Sequence, residues 1–169
     1  MKDSYLENIN IEISGGVHED SLNIINSKGK INKIIINNSF QDAIDLDFSN
    51  LEIKNIQVYN AGNDCLDLSG GEYNVYYLSV DYCLDKGISL GEDSDSYINT
   101  VSINNVEVGI ATKDSSFLKI RDGIVQNYEI CAAAYRKKQE FLGSIIEFNH
   151  NICPKEDILI QKNSYYISK

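Results

Sequence analysis

The sequence predicts an all-β fold, a single-stranded parallel β-helix of six to seven rungs with about 22 residues in each. Three observations carry this prediction. Aliphatic residues recur at a 22-residue step: Leu22, Ile44, Leu66, Ile88 and Ile110 form one column, and Ile24, Leu46, Leu68 and Leu90 form another. Within each repeat, aliphatic and polar residues alternate, as in "LEIKNIQV" and "YINTVSI", which is the pattern of strands with one buried face. The stretches "DAIDLD" (42–47) and "DCLDLS" (64–69) also repeat one chemical pattern 22 residues apart.

The other columns define the rest of the rung. Ile31, Ile53, Val75, Ile98 and Ile120 form the first, Ile34, Ile56, Leu78 and Val101 the second, and Ile36, Val58, Val80, Ile103 and Val125 the third. The step lengthens to 23 once, at "GEDSDS", and then returns to 22. Such short repeats with period-two alternation fit neither propeller blades nor helical repeats, and they lack the Leu/Asn consensus of leucine-rich repeats. Parallel strands stacked about 4.8 Å apart satisfy the pattern. Two residues beyond the third column stand Asn38, Asn60, Tyr82, Asn105, Asn127 and His150, which predicts a ladder of stacked amides in an inward-turning corner. The regular rungs are expected over 9–135, within a single domain of 1–169. "RKKQEFLGS" is expected to form a loop or lengthened rung, and "DILIQKNSYYISK" a last strand or cap.

Composition narrows the partners. Fifteen Lys and Arg stand against 25 Asp and Glu, for a formal charge of −10, which argues against nucleic acid and anionic membrane surfaces. No apolar run approaches a membrane span, and "MKDSYLENINIEIS" lacks the zones of a signal peptide. Cys65, Cys83, Cys131 and Cys153 show no CxxC or Cys/His metal spacing and are expected to be free, buried thiols.

The rung period, the asparagine column and the recurring "G-I/L-x-L" strands resemble the pectate-lyase-like superfamily of right-handed parallel β-helices over residues 9–150. Right-handedness follows from that resemblance and from the handedness of parallel crossovers. The resemblance also implies an extracytoplasmic or cell-envelope location. The first rung shows no amphipathic cap helix, so attachment to further domains or a homo-oligomer contact is expected there. A narrower likeness is to polygalacturonase-type rungs. "SFQDAID", "NDCLDL", "DKG" with "ISLG", and "VGIATK" are similar to that family's successive motifs, with Asp42 and Asp64 on family acids. Asn63 and Lys86 replace an acid and a histidine, and the family's Arg/Lys pair is reduced to Lys113.

If Ile44 and Leu46 point inward, alternation turns Ala43, Asp45 and Asp47 outward, with Cys65, Asp67 and Ser69 above them. Gly87, Ser89 and Gly91 follow, then Gly109, Ala111 and Lys113, then Cys131, Ala133 and Tyr135. The expected surface is acidic at its first rungs, smooth in the middle, and basic and aromatic at the far end. Asp42, Asp45, Asp64, Asp67 and Lys86 are the candidate catalytic residues. Asp47, Lys113, Tyr135, Arg136 and Lys137 are the candidate substrate-binding residues. Stacked carboxylates repel unless one is protonated, a cation intervenes or Lys86 neutralises the row.

Three uses of this surface remain open. The first is a domain that binds an acidic or envelope polysaccharide, with "YRKKQ" supplying an aromatic platform and cations. The second is β-elimination or C5 epimerisation of uronic acids, with calcium held by the aspartates and Lys86, its pKa lowered, as base. The third is glycoside hydrolysis by a separated acid and base.

Overall fold

The computed structural model describes residues 1–169 and is a parallel β-solenoid of about seven turns, with a single three-residue 3₁₀ turn at Lys155–Asp157. No helix is long and apolar enough to cross a membrane. Every pairing between strands is parallel. Each turn has a long segment followed by a short one. The long segments are β1 (Tyr5–Ser14), β3 (Lys28–Ser39), β5 (Asn50–Ala61) and the first parts of β7 (Glu72–Gly91), β8 (Asp95–Lys113) and β9 (Phe117–Tyr135). β10 (Ile145–Phe148) and β12 (Tyr165–Ser168) complete that stack. The short segments are β2 (Asp20–Ile25), β4 (Asp42–Asp47), β6 (Leu66–Ser69), the last parts of β7–β9, and β11 (Ile158–Ile160).

The aliphatic columns fill the interior as alternation requires. Ile31 pairs with Ile53, Ile53 with Val75, Val75 with Ile98 and Ile98 with Ile120, all buried. From the opposite wall come Ile44, Leu66, Ile88 and Ile110, each fully buried. One continuous apolar core therefore runs along the solenoid axis.

Two columns of left-handed residues turn the corners. Asn38, Asn60, Tyr82, Asn105 and Asn127 have φ between 51° and 63°. Asparagine tolerates this conformation better than other side-chain-bearing residues, which explains its recurrence. The column is not the inward ladder expected from sequence. Asn38, Asn60 and Asn127 are exposed, and Asn60 Nδ2 donates to Asn38 Oδ1 at 2.9 Å on the surface. Further along, Asn105 Nδ2 donates to Asp81 and Asn127 Nδ2 to Asn104. His150 is exposed and has no left-handed φ, so it stands outside the column. The other corner turns at Asn26, Phe48, Gly70, Glu92 and Asp114, again with positive φ. The 23-residue step is absorbed there by a second left-handed residue, Asp93.

Just inside that second corner runs a column of buried serines: Ser27, Ser49, Ser94, Ser116, Ser144 and Ser164. Their hydroxyls accept backbone N–H groups from the preceding turn: Ser27 N donates to Ser49 Oγ at 2.9 Å, Ser94 N to Ser116 Oγ at 3.1 Å, and Ser144 N to Ser164 Oγ at 3.0 Å. Gly71 interrupts the column. A Cβ there would lie 2.2 Å from Ser49 O and 2.8 Å from the Tyr73 hydroxyl. The buried Tyr73 hydroxyl takes over the missing role, donating to Leu46 O or Ser69 O at 2.8 and 3.0 Å and accepting Ser49 N at 3.4 Å.

The cysteines correct the sequence expectation. None is free: Cys65 bonds to Cys83, and Cys131 to Cys153. Cys131 and Cys153 are one 22-residue step apart, so stacking brings their Cα atoms to 5.7 Å. Cys65 and Cys83 meet across a corner with Cα atoms 5.5 Å apart. Closing loops of this size stabilises a fold by about 3 kcal/mol in the chain-entropy account.

Tyr73→Phe leaves the ring packing intact and removes the only hydroxyl bridging the gap at Gly71. The expected loss is about 1–3 kcal/mol, read from urea denaturation.

Candidate functional site

The stack of short segments holds the candidate residues. At its leading corner, Asp42 Oδ1 accepts the Asp64 backbone N–H at 2.8 Å and Asn63 Nδ2 at 2.7 Å. One turn on, Asp64 Oδ1 accepts the Lys86 backbone N–H at 3.0 Å. These two aspartates thus cap the backbone of the turn above them. The Lys86 ammonium lies 3.3 Å from Asp64 Oδ1 and also pairs with Asp85. Burial holds the Asp64 carboxyl up, to about 6, against the opposing pull of Lys86. Burial also acts to lower the Lys86 pKa, but the Asp85 hydrogen bond and the Asp64 charge outweigh it and the net shift is upward. Lys86 is therefore a retained cation, which corrects its expected role as a base of lowered pKa.

Asn23, Asp45, Asp67, Ser89, Ala111 and Ala133 form the next column. Asn23 Nδ2 donates to Asp45 Oδ2 at 2.8 Å. Burial, followed by the charges of Asp47 and Asp67, raises Asp45 from its ordinary 3.8 to about 7. Asp47 is raised by burial and then by Asp67. Asp67 Oδ1 is buried without a hydrogen-bond partner. Of the three ways to relieve stacked carboxylates, protonation operates at Asp45 and the Lys86 cation at Asp64. Calcium does not fit: no three His, Cys, Asp or Glu side chains converge as a metal site requires.

Two features of the expected groove differ. The small column is not an outward floor, because Ala43, Cys65 and Cys131 are fully buried. A Cβ at Gly87 would meet Gly109 O and Ile103 Cγ2 at 2.7 Å, and one at Gly109 would meet Cys131 O at 2.5 Å. Close packing at the corner, not a ligand, sets these sizes. Lys113 is not an exposed cation either. It is 8% exposed and folds over Gly91, donating from Nζ to Ser89 Oγ at 2.7 Å. A Cβ at Gly91 would lie 3.3 Å from Lys113 Cε, so the glycine leaves room for this path.

The far end carries a trough of about 410 Å³ lined by Lys86, Ala111, Ala133, Tyr135, Leu159 and Gln161, among others. Burial raises the half-buried Tyr135 hydroxyl, with Lys86 opposing. At Gln161 the trough meets a second recess, of about 240 Å³, lined by Arg136, Lys162 and Asn163. Gln161 joins the two, its Oε1 accepting the Arg136 backbone N–H at 2.9 Å. Lys137 is exposed, and Asp114 Oδ1 accepts its backbone N–H at 2.6 Å together with that of Lys138 at 2.8 Å, which shapes the loop. The structure thus brings Lys86, Tyr135 and Arg136 to one region. Asp47 lies on the turns at the acidic end, four rungs or about 19 Å from Tyr135. Sequence reasoning missed Leu159, Gln161 and Lys162, because they come from the irregular last turn. Their only signal was the position of β11 one step above Ala132–Ala134.

No protein-family model, curated protein or solved structure matches the chain.

The raised Asp45 carboxyl fixes a sign. Between its ordinary 3.8 and about 7 the folded state holds a proton that the unfolded state has lost, so Asp45 costs stability as pH rises through that window. Asp45→Asn should therefore be increasingly more stable than the parent from about pH 4 to about pH 8, measured as the difference in Tm. A constant or inverted difference contradicts this.

Proposed function

We propose that this chain is a carbohydrate-engaging β-helix of the pectate-lyase-like kind that binds an acidic or envelope polysaccharide. The observation that carries the reading is the trough at the far end of the short-segment stack and the basic recess that continues it. Alanine and aliphatic side chains give a smooth wall, Tyr135 offers a ring with a polar tip, and Gln161 offers an amide. Arg136 and Lys162 stand beyond it with no carboxylate within salt-bridge distance, although the whole protein carries a charge of −10. Unpaired cations at the end of a saccharide-sized trough suit a uronate carboxylate, and Arg136 can grip it bidentately.

Binding is favoured over turnover because the candidate catalytic groups are already engaged. Asp42 and Asp64 cap backbone, and Lys86 is held by two carboxylates. Asp45 and Asp67 stand at the acidic end, where a polyanion is repelled. Two disulfides fit an oxidising compartment and hence an extracytoplasmic or envelope location.

Calorimetric titration with oligogalacturonate or oligoalginate tests the reading. Saturable binding is expected, weakened by salt and reduced at least about tenfold in Arg136→Ala/Lys162→Ala, as loss of charge-assisted hydrogen bonds predicts. Ultraviolet absorbance from unsaturated products and new reducing ends should both stay flat. A rise in the first would establish the lyase use instead, and a rise in the second alone the hydrolase use. Absence of binding to any uronate would end the proposal.

A further inference from the structure

We propose a second saccharide site on the opposite stack, one that takes a neutral glycan. The largest groove of the molecule, about 620 Å³, lies there and is lined by Glu52, Lys54, Asn74, Tyr76, Tyr97 and Asn99 over the floor of Ile53 and Val75. Its origin is local. The pattern Ile53-Lys54-Asn55-Ile56 sets two outward residues between two inward ones, so each rung bends there. Inter-rung pairing passes from Ile53–Val75–Ile98 directly to Asn55–Tyr77–Thr100, and the residues between, Lys54, Tyr76 and Asn99, stand at the bend. One wall is then the column Glu52–Asn74–Tyr97, and the other is Lys54–Tyr76–Asn99. Three rungs give the trough a run of about 10 Å along the axis.

The lining chemistry selects the ligand. Each wall carries one tyrosine, one asparagine and one charge. Tyr76 is 67% exposed, an unusual cost for a large ring unless a partner covers it. Tyrosine faces suit the C–H face of a pyranose, and the asparagine amides supply both donors and acceptors for hydroxyls. The charges cancel. Glu52 is 2.6 Å from Lys30, and Lys54 donates to Asn32 at 2.8 Å, so neither sign dominates as it does at the basic recess. A polyanion gains nothing here, and with Ile53 and Val75 buried beneath the floor there is no deep apolar pocket for a hydrophobic side chain. A neutral sugar chain meets each requirement, and the volume lies in the usual range for small-molecule sites. This site shares no residue with the acidic-glycan trough, so either can fail alone.

The test is calorimetric titration of the intact protein with cellopentaose, mannopentaose and maltopentaose. Saturable binding of at least one is expected. Tyr76→Ala, at an exposed position that the fold does not depend on, should weaken it at least about tenfold, the size of one aromatic contact. Asn74→Ala should weaken it by a smaller factor, and Arg136→Ala should leave it unchanged. No saturable heat with any of the three up to about 10 mM, the weak limit for a specific site, would overturn the proposal. Binding that survives Tyr76→Ala, or that is lost in Arg136→Ala, would overturn it equally.

Discussion

Parallel pairing between successive turns is the constraint on which the molecule depends. Of 118 backbone hydrogen bonds, 88 lie within the strands, and nearly all of those join one turn to the next. Pairing of this kind holds only if every turn keeps its length, since a one-residue slip would reverse the inward and outward faces of everything beyond it. It also leaves polar groups stranded where the chain turns. The buried serines, the Tyr73 hydroxyl and the carboxylates of Asp42, Asp64 and Asp114 serve those groups, each reaching across to an adjacent turn. The corners are thus as specific as the strands.

The same stacking produces the electrostatics of the candidate site. Vertical repetition brings chemically similar side chains into contact, which suits isoleucine and asparagine but not aspartate. Asp45 responds by holding its proton more tightly, and Asp64 by sharing Lys86 with Asp85. Lys113, which alternation directs toward solvent, instead lies along the surface over Gly91 to Ser89. What remains free for a ligand is the last third of the stack, where the acids give way to alanine, tyrosine and cations.

Much of the fold was legible because a solenoid writes its contacts at a fixed interval. The aliphatic columns and the Asp45–Asp67 stacking follow from counting alone. The serine column obeyed the same count but was hidden by Gly71, whose function passes to Tyr73 two residues later. Cys131 and Cys153 were also one step apart, yet attention to metal-type spacing concealed the disulfide that the step implied. The asparagine column was seen but turned the wrong way, because its cause is backbone conformation rather than buried amide bonding. For Ala43 and Gly87, strict alternation failed where the strand curls into a corner. Lys162 and Gln161 lay beyond the regular count altogether.

The two places where the chain departs from regular length share one position. The additional residue at Glu92–Asp93 and the excursion through 136–143 both fall after the short segment and before the serine column. A tight turn of left-handed residues can be extended there without disturbing the pairs on either side. That edge is the molecule's tolerant seam, where added sequence projects beside the stack of short segments and leaves the pitch intact. Diversification of what this scaffold recognises can therefore proceed by lengthening one row of bends while the barrel of aliphatic columns stays constant.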